Sequence, residues 1–397
     1  MPQCADWTWM VYMAGDNNLS QAGDDDLEQM RAVGSTSHLN VLTQFDNAGD
    51  QGTRRFLVGR NGESERLVDL GETDSGSPET LVDFVRWAKE NHPAQRYALI
   101  LWNHGGGWAP SEIEEIEREP PTRAASKLRR TFFRSSLERI LAVPVNQRAI
   151  CSDDGSGHSL DTAELGKALA RIVTILGQPI DLLGMDACLM SNLEVAFEAA
   201  PHARVLVASE ETEPARGWPY DTLLAALAET PSLAANELGA RIVRAYVDSY
   251  AGDESAGDVT QTALDLTKIS DLTTPLDELA SALTEEMAEA AVWLWSAQRH
   301  SASFGDGSLR DLTQLCRGLE AKGSARIQQA AAAMRAAMAS GPGRAVLAEC
   351  HRGPKVEECG GLSIYLPFGA EISQYYAEVA FAQKTKWPML LKAYSHG

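Results

Sequence analysis

Cysteine is scarce in this 397-residue chain, and its six cysteines, at positions 4, 151, 188, 316, 350 and 359, include no CxxC pair. Cysteines scattered in this way through a long chain exclude a small disulfide-stapled scaffold and a zinc-ribbon type of site. They are typical of a reducing compartment, in which most thiols are small core residues. The sequence therefore predicts no metal centre.

Long apolar runs and an excess of basic residues are also missing. No run reaches the roughly 18 residues of a membrane-spanning helix, and no basic and apolar signal segment follows Met1, so we expect a cytoplasmic protein with no membrane partner. Lys and Arg number 35 against 55 Asp and Glu, a net charge of −20. Such an acidic surface disfavours nucleic acid as a partner. It suits a basic substrate, but it equally fits an ordinary solvated surface.

Short apolar runs that alternate with helical patterns indicate the fold. The predicted strands are residues 8–14, 39–45, 55–58, 98–102, 180–185, 204–208, 261–266 and 362–366. The predicted helices are residues 79–91, 162–176 (with Asp161 as its cap), 189–199, 233–250, 271–297 and 325–339. The strand runs are short and bounded by Gly, Asp or Asn, as is typical of strands buried on both faces. The alternation predicts an α/β fold with a mainly parallel central sheet flanked by helices.

The length allows one large domain with additions, or two domains. We predict a main domain at 1–250 and a C-terminal part at 251–397, whose helices and strands complete or extend the same sheet. Within the main domain, residues 111–148 form a polar insertion that starts acidic, passes through Pro120 and Pro121, and turns basic. Loops of this length inside a domain are uncommon and usually functional, although a plain surface insertion is an equal alternative.

Two apolar strands end on residues that could form a nucleophilic pair. Residues 97–108 lead into His104 and three glycines, and residues 180–192 lead into Cys188 and a predicted helix. Open α/β sheets place their active sites at the carboxyl ends of their strands, so we expect His104 and Cys188 to lie close together. A neighbouring imidazole and the start of a helix both favour the thiolate, which is the reactive form of cysteine.

The residues beside this pair indicate where a substrate would bind. Backbone N–H groups of Gly105, Gly106 and Cys188 could bind an oxyanion, because glycine lets the backbone approach a substrate closely. Asp186 precedes Cys188 by two residues and would point to the same face of an extended segment, where it could meet a cationic side chain. A single buried cysteine is usually a core residue. The occurrence of both residues at strand ends favours catalysis.

Five segments that contain these residues resemble a known family. The chain is similar to the clostripain-like cysteine peptidases, relatives of the gingipains, legumains and caspases, at residues 9–19, 101–108, 186–192, 208–220 and 361–367. The resemblance implies a caspase-like three-layer sandwich, a His104–Cys188 dyad, and cleavage of a protein or peptide substrate after Arg or Lys. It also implies that Asp186 contributes to the S1 pocket. No cofactor is implied for the chemistry, although some family members respond to calcium.

The same resemblance implies self-cleavage between the histidine and cysteine segments. Within the 111–148 insertion, Lys127, Arg129 and Arg130 are the expected cut sites. Many relatives are secreted, whereas no signal segment is seen here. Its absence indicates an intracellular target or a switch that acts on the chain itself.

One departure from the family concerns specificity. Family members often carry an acidic residue in the turn where this chain has Arg216, and a guanidinium pointing into the pocket would weaken a basic preference or favour acidic substrates. If Asp186 does not set specificity, Asp16, Glu210 and Glu211 are the next candidates, since each lies near the carboxyl end of a strand. Two alternatives therefore remain: a peptidase of the same fold with altered specificity, and a non-catalytic binding module. The presence of both His104 and Cys188 argues against the second.

Overall fold

The computed structural model describes residues 4–48, 52–62, 65–108, 150–153, 156, 158–369 and 372–395. The predicted insertion at 111–148 and its expected cut sites Lys127, Arg129 and Arg130 lie outside the described residues. The strands are β1 (Ala5–Gly15), β2 (Leu39–Asn47), β3 (Gly52–Leu57), β4 (Glu65–Gly71), β5 (Ala94–Trp102), β6 (Ile150–Asp153), β7 (His158–Leu160), β8 (Ile180–Asp186), β9 (Ala203–Ala208), β10 (Val259–Asp265), β11 (Ser303–Phe304), β12 (Leu309–Asp311), β13 (Val346–Arg352) and β14 (Ser363–Tyr365). The helices are α1 (Ser20–Val33), α2 (Pro78–Asn91), α3 (Thr162–Leu176), α4 (Leu193–Ala199), α5 (Tyr220–Glu229), α6 (Ala235–Ser249), α7 (Thr273–Glu285), α8 (Met287–His300), α9 (Leu312–Lys322), α10 (Ala325–Ala337), α11 (Ala380–Lys384) and α12 (Trp387–Ser395).

A nine-stranded sheet forms the middle layer, in the order β13-β10-β9-β8-β5-β1-β2-β3-β4. The five strands from β9 to β2 run parallel, and the strands at both edges run antiparallel. Alternate side chains of β1 enter two apolar cores, with Met10 and Tyr12 in one and Trp9 and Val11 in the other. Helices cover both cores, which confirms the predicted three-layer α/β sandwich.

The local sequence explains where one long helix begins and ends. The side chain of Asp161 accepts a hydrogen bond from the Glu164 N–H, and Glu164 in turn accepts from the Asp161 N–H, forming a capping box before α3. Gly177 ends the helix with a φ of 73°, a left-handed conformation that glycine adopts without strain. The helix predicted at 162–176 is confirmed.

Several predicted elements were wrong or missing. The helix predicted at 271–297 is two helices, α7 and α8, which meet at Glu286, and each buries its own apolar stripe. The strand predicted at 362–366 belongs to a separate small sheet, β11-β12-β14. The sequence patterns did not predict α1, α5, α9, α11 and α12 or the strands β4, β6, β7, β11, β12 and β13. Strands β10 and β13 come from the C-terminal part and form one edge of the main sheet. The domain boundary at 250 stays a prediction.

Strands β5 and β8 are neighbours at the centre of the sheet and carry the two residues of interest at their ends. They pair in parallel, with Ala98 opposite Leu182 and Trp102 opposite Asp186. Their carboxyl ends therefore meet at one edge of the sheet. Because the two strands are neighbours and run in the same direction, the segments after Trp102 and Asp186 lie side by side at the carboxyl edge of the sheet.

Candidate active site

His104 and Cys188 line one cavity at the carboxyl edge of the sheet. Asp186 and Glu213 also line it, together with Leu19, Trp102, Asn103, Ala187, Pro214, Ala215 and Gly217. The cavity has a volume of about 30 Å³, which is room for one or two water molecules. Asp16, Glu210, Glu211 and Arg216 are not part of this lining. His104 and Cys188 thus line the same cavity, and their catalytic pairing stays a prediction.

A turn, rather than a helix, carries Cys188. The helix predicted to begin at Leu189 begins instead at Leu193, where Asn192 caps it by accepting the Val195 N–H. Leu189 has a φ of 66°, which reverses the chain before the helix. The Asn192 amide donates to the Leu189 carbonyl at 2.9 Å and holds this turn together. We predicted that free N–H groups at the start of this helix would lie near the Cys188 sulfur. Because α4 begins five residues after Cys188, its first N–H groups do not take that role.

Other backbone groups take that place. The Glu213 N–H donates a hydrogen bond to the Cys188 sulfur at 3.2 Å. The Gly105 N–H also interacts with the thiol, and both N–H groups favour the thiolate. Burial has the largest effect and raises the pKa of Cys188 to about 11, while these two N–H groups lower it. A Cβ at Gly105 would lie 2.1 Å from the Cys188 carbonyl oxygen, so only glycine fits there. Gly106 is buried beside Gly107, and Gly107 has the positive φ of 75°.

The imidazole of His104 is held by Asn18. Nε2 of His104 lies 2.9 Å from Oδ1 of Asn18, and because an amide oxygen can only accept, this contact favours the tautomer with its proton on Nε2. Although the ring keeps partial exposure, burial lowers the pKa of His104 to about 4. Near neutral pH both the imidazole and the thiol are therefore uncharged. Asn18 was not singled out from the sequence, although it lies within the 9–19 segment that resembles the family.

Asp186 is fixed at the edge of the cavity by several donors. Its Oδ2 accepts from the Tyr220 hydroxyl at 2.8 Å and from the Trp218 N–H at 3.3 Å. A Cβ at Gly217 would approach this carboxylate to 3.0 Å, so glycine leaves room for Asp186 to face the cavity. Burial raises the pKa of Asp186 above its ordinary value, although its hydrogen bonds oppose this effect.

Glu213 is a second acid in the cavity, and the sequence analysis did not select it. Its carboxyl group is hydrogen-bonded to that of Asp186, and Gln261 donates to its Oε1 at 3.3 Å. Burial, and then the neighbouring charge of Asp186, raise the pKa of Glu213 well above its ordinary value. A third buried acid, Asp26, interacts electrostatically with Asp186. Burial and the charge of Asp186 raise the pKa of Asp26 to about 9. The Trp102 indole N–H donates a hydrogen bond to the Asp26 carboxylate at 2.8 Å. Asp186 and Glu213 thus form an acidic wall of the cavity, and Asp26 lies outside its lining.

Arg216 points away from this wall. Its guanidinium donates to the Ser249 carbonyl at 2.6 Å and lies over the Tyr250 ring, 4.4 Å from the ring centre. Arg216 therefore does not point into the pocket, where its charge would have weakened a preference for basic substrates. The other specificity candidates also have different positions. Glu211 binds the Lys355 ammonium at 2.6 Å, and Glu210 is fully buried.

The comparisons with known proteins identify the family and the fold. A family model described as the clostripain family matches residues 11–118 and 142–394. Clostripain of Hathewaya histolytica is 27% identical over 250 residues, which cover 54% of this chain and 41% of clostripain. The match therefore spans less than half of clostripain's length.

Two solved structures share the fold. An inactive zymogen C11 protease from Parabacteroides distasonis has a TM-score of 0.68 at 18% identity, covering 97% of this chain and 99% of that one. A secreted C11 cysteine protease from Bacteroides thetaiotaomicron, in complex with an irreversible peptide inhibitor, has a TM-score of 0.65 at 20% identity, covering 98% and 99%. The matched family and the shared fold define the class to which the protein belongs. The chain belongs to the clostripain family.

The comparisons leave the location open. In the part of the chain that the structure describes, no helix is both long enough and apolar enough to cross a membrane. The cytoplasmic location stays a prediction, as does the absence of a nucleic-acid partner.

Proposed function

We propose that this chain is an endopeptidase in which Cys188 is the nucleophile and His104 the base, and that it cleaves after Arg or Lys. The observation that carries the proposal is one cavity lined by His104, Cys188, Asp186 and Glu213. It combines a thiol, a neutral base and a buried acidic wall. A basic side chain could be held there while the bond beside it is attacked.

The chemistry follows from these atoms. The thiol proton passes to His104 as the Cys188 sulfur attacks the substrate carbonyl, and the charged oxygen that forms is stabilised by the backbone N–H groups of Gly105 and Cys188. The imidazolium then protonates the leaving amine, which leaves a thioester on Cys188. His104 next takes a proton from water, and the resulting attack releases the acid and restores the thiol. None of these steps uses a cofactor. Assays with and without a calcium chelator test the calcium response that the family resemblance implies.

Two buried acids support a basic preference. Asp186 stands two residues before the nucleophile, and Glu213 contacts both the Asp186 carboxyl and the Cys188 sulfur. A guanidinium or ammonium between these groups would favour their charged forms and receive charge-assisted hydrogen bonds. Because Arg216 is held by Ser249 and Tyr250, the alternative of an acidic preference has less support.

The small cavity supports an activation step. A volume of about 30 Å³ is smaller than an Arg or Lys side chain, which supports a widening of the pocket when substrate binds. Self-cleavage within 111–148, between the two catalytic segments, could allow this change. One relative of the same fold is itself described as an inactive zymogen.

Profiling with a peptide library tests the proposal. Wild type should cleave after Arg and Lys, and Cys188→Ala should lose at least about 10⁴-fold in kcat while circular dichroism stays unchanged. Asp186→Asn should reduce kcat/KM for Arg substrates by about 10- to 100-fold. Arg216→Ala, in the same turn but outside the cavity, is the matched control and should keep the wild-type profile. Cleavage after acidic residues by the wild type would contradict the basic preference, and activity in Cys188→Ala would contradict the dyad.

A further inference from the structure

A second cluster of ionisable side chains lies outside the catalytic cavity. Glu210, Asp311 and Cys359 are all buried, and one ligand atom from each lies within 4.8 Å of the others. They come from three distant parts of the chain: the segment after β9, the end of β12, and the loop before β14. Only the folded chain therefore brings them together.

Glu210 is poorly satisfied by hydrogen bonds. Its side chain is fully buried, and neither carboxylate oxygen receives a hydrogen bond of normal geometry from the described residues. Only weaker contacts reach this carboxyl group, from the Asp311 carboxyl and from the Gly361 N–H. Burying a charged carboxylate without donors is costly, so the group must be either protonated or bound to a cation.

The other two groups are held as metal ligands usually are. Asp311 accepts from the Gly360 N–H at 2.7 Å and from the Gln314 N–H at 2.6 Å. The Gln314 amide also lies 3.6 Å from the Cys359 sulfur. Such outer hydrogen bonds orient ligand atoms while leaving lone pairs for a metal. The same bonds would also be needed in a metal-free protein, so they support the site only together with Glu210.

We propose that Glu210, Asp311 and Cys359 bind a divalent cation of the zinc class. A thiolate with two carboxylates suits Zn²⁺, whereas calcium and magnesium take oxygen ligands. Zinc holds its ligand atoms about 3.5 Å apart, so the three side chains would close by at most about 1 Å around it. Glu210 would give up only its weak contacts with the Asp311 carboxyl and the Gly361 N–H in doing so.

The surrounding charges agree with a cation. Three buried groups that can each carry a negative charge lie together, with one ligand atom of each within 4.8 Å of the others, so their charges would repel one another. A divalent cation would remove this mutual repulsion. It would also brace the segment of residues 209–213, whose Glu213 N–H binds the Cys188 sulfur.

The experiment uses the full chain carrying Cys188→Ala, so that the catalytic thiol neither binds metal nor cleaves the protein. After removal of metal with a chelator, Zn²⁺ alone is titrated by calorimetry, and Co²⁺ is added as a spectroscopic probe of thiolate binding. We expect one Zn²⁺ per chain, a rise in the unfolding temperature, and a sulfur-to-cobalt charge-transfer band. Glu210→Gln should weaken Zn²⁺ binding at least about 100-fold, while Glu194→Gln, a change at another fully buried carboxyl, should not.

A second pair of variants keeps the test decisive if Glu210→Gln folds poorly. Cys359→Ser should abolish the cobalt band, whereas Cys151→Ser, which alters another buried thiol, should retain it. The proposal would be overturned by a protein that binds no Zn²⁺. It would also fail if Glu210→Gln is as stable as its parent with and without Zn²⁺, because Glu210 and Asp311 would then simply share a proton. Either failure leaves the proposed peptidase function intact.

Discussion

At the scale of single residues, the proposed nucleophile and base rest as neutral groups. Burial raises the pKa of Cys188 to about 11 and lowers that of His104 to about 4. Between these values the sulfur keeps its proton and the imidazole of His104 stays neutral. The competent form therefore exists over a wide pH range, and no preformed ion pair is required.

We expect kcat/KM for a peptide with an uncharged P1 residue to stay nearly constant from about pH 5 to 9, because kcat/KM reports ionisations of the free enzyme. It should fall only as pH approaches the pKa of His104 at about 4, where the base becomes protonated. Initial rates measured across this range provide the check. A fall centred near the ordinary histidine value of about 6.5 would show that His104 is better hydrated than in this structure.

The acidic wall should make selectivity depend on pH. Burial raises the pKa of Asp186 and of Glu213, so at low pH both are protonated and offer no charge to an Arg side chain. The ratio of kcat/KM for Arg over Gln at P1 should therefore increase as pH rises from about 5 to 9. Asp186→Asn should flatten this dependence. A constant ratio in the wild type would mean that these carboxyls do not bind the substrate.

At the scale of elements, the strand ends were predictable and the turn after β8 was not. Buried parallel strands appear as apolar runs, so the ends near His104 and Asp186 could be located from the sequence. The turn depends on Asn192, which could equally have been an ordinary polar residue inside a longer helix. Glu213 reaches the cavity because β9 lies beside β8, and strand order is a property of the whole sheet that no local pattern reveals.

Removal of the Asn192 cap should affect stability and activity together. Asn192→Ala loses the bond to the Val195 N–H and the bond to the Leu189 carbonyl, at a cost of about 1–3 kcal/mol in free energy of unfolding. Because Leu189 follows Cys188, kcat should also fall. Ser77→Ala removes the cap of α2, a surface helix end, and should cost about 1 kcal/mol without changing kcat. Urea unfolding and steady-state kinetics measure both effects, and equal kinetics in the two variants would contradict the role of Asn192.

At the scale of the whole molecule, buried acids make folding sensitive to alkali. Burial raises the pKa of Asp46 and of Glu194 to about 7 each. The folded state therefore binds more protons than the unfolded chain once pH exceeds the ordinary carboxyl value. Stability from this source is fully present below that value and is lost as pH rises through about 7. The net charge of −20 adds repulsion in the same direction.

We expect the free energy of unfolding to fall by at least about 2 kcal/mol between pH 5 and pH 8. Urea titrations of the Cys188→Ala chain at several pH values give this slope without self-digestion. Glu194→Gln should reduce the slope, because it removes one of the groups that must lose a proton. A stability that rises with pH over this range would contradict the assignment of buried, protonated carboxyls.

Self-cleavage also belongs to the whole molecule. Purified wild type should be cut after Lys127, Arg129 or Arg130, whereas Cys188→Ala should remain intact, and N-terminal sequencing of the fragments locates the cut. Such a cut leaves the sheet assembled, since each strand is held by its neighbours. An uncut wild type that is fully active would exclude an activation role for the 111–148 segment.

Because β5 and β8 are neighbours in the sheet, such a cut would place them in two separate chains and change how the enzyme refolds. One fragment would hold β1 to β5 and the other β6 to β14, and they would meet along the pairing of Ala98 with Leu182 through to Trp102 with Asp186. Neither fragment has a complete sheet or a complete catalytic pair. An intact chain refolds at a rate independent of its concentration, but the cut enzyme must find its other half in solution. Once diluted and unfolded, it would regain its activity only as fast as the two fragments meet, so the cut would both start the enzyme and limit its lifetime.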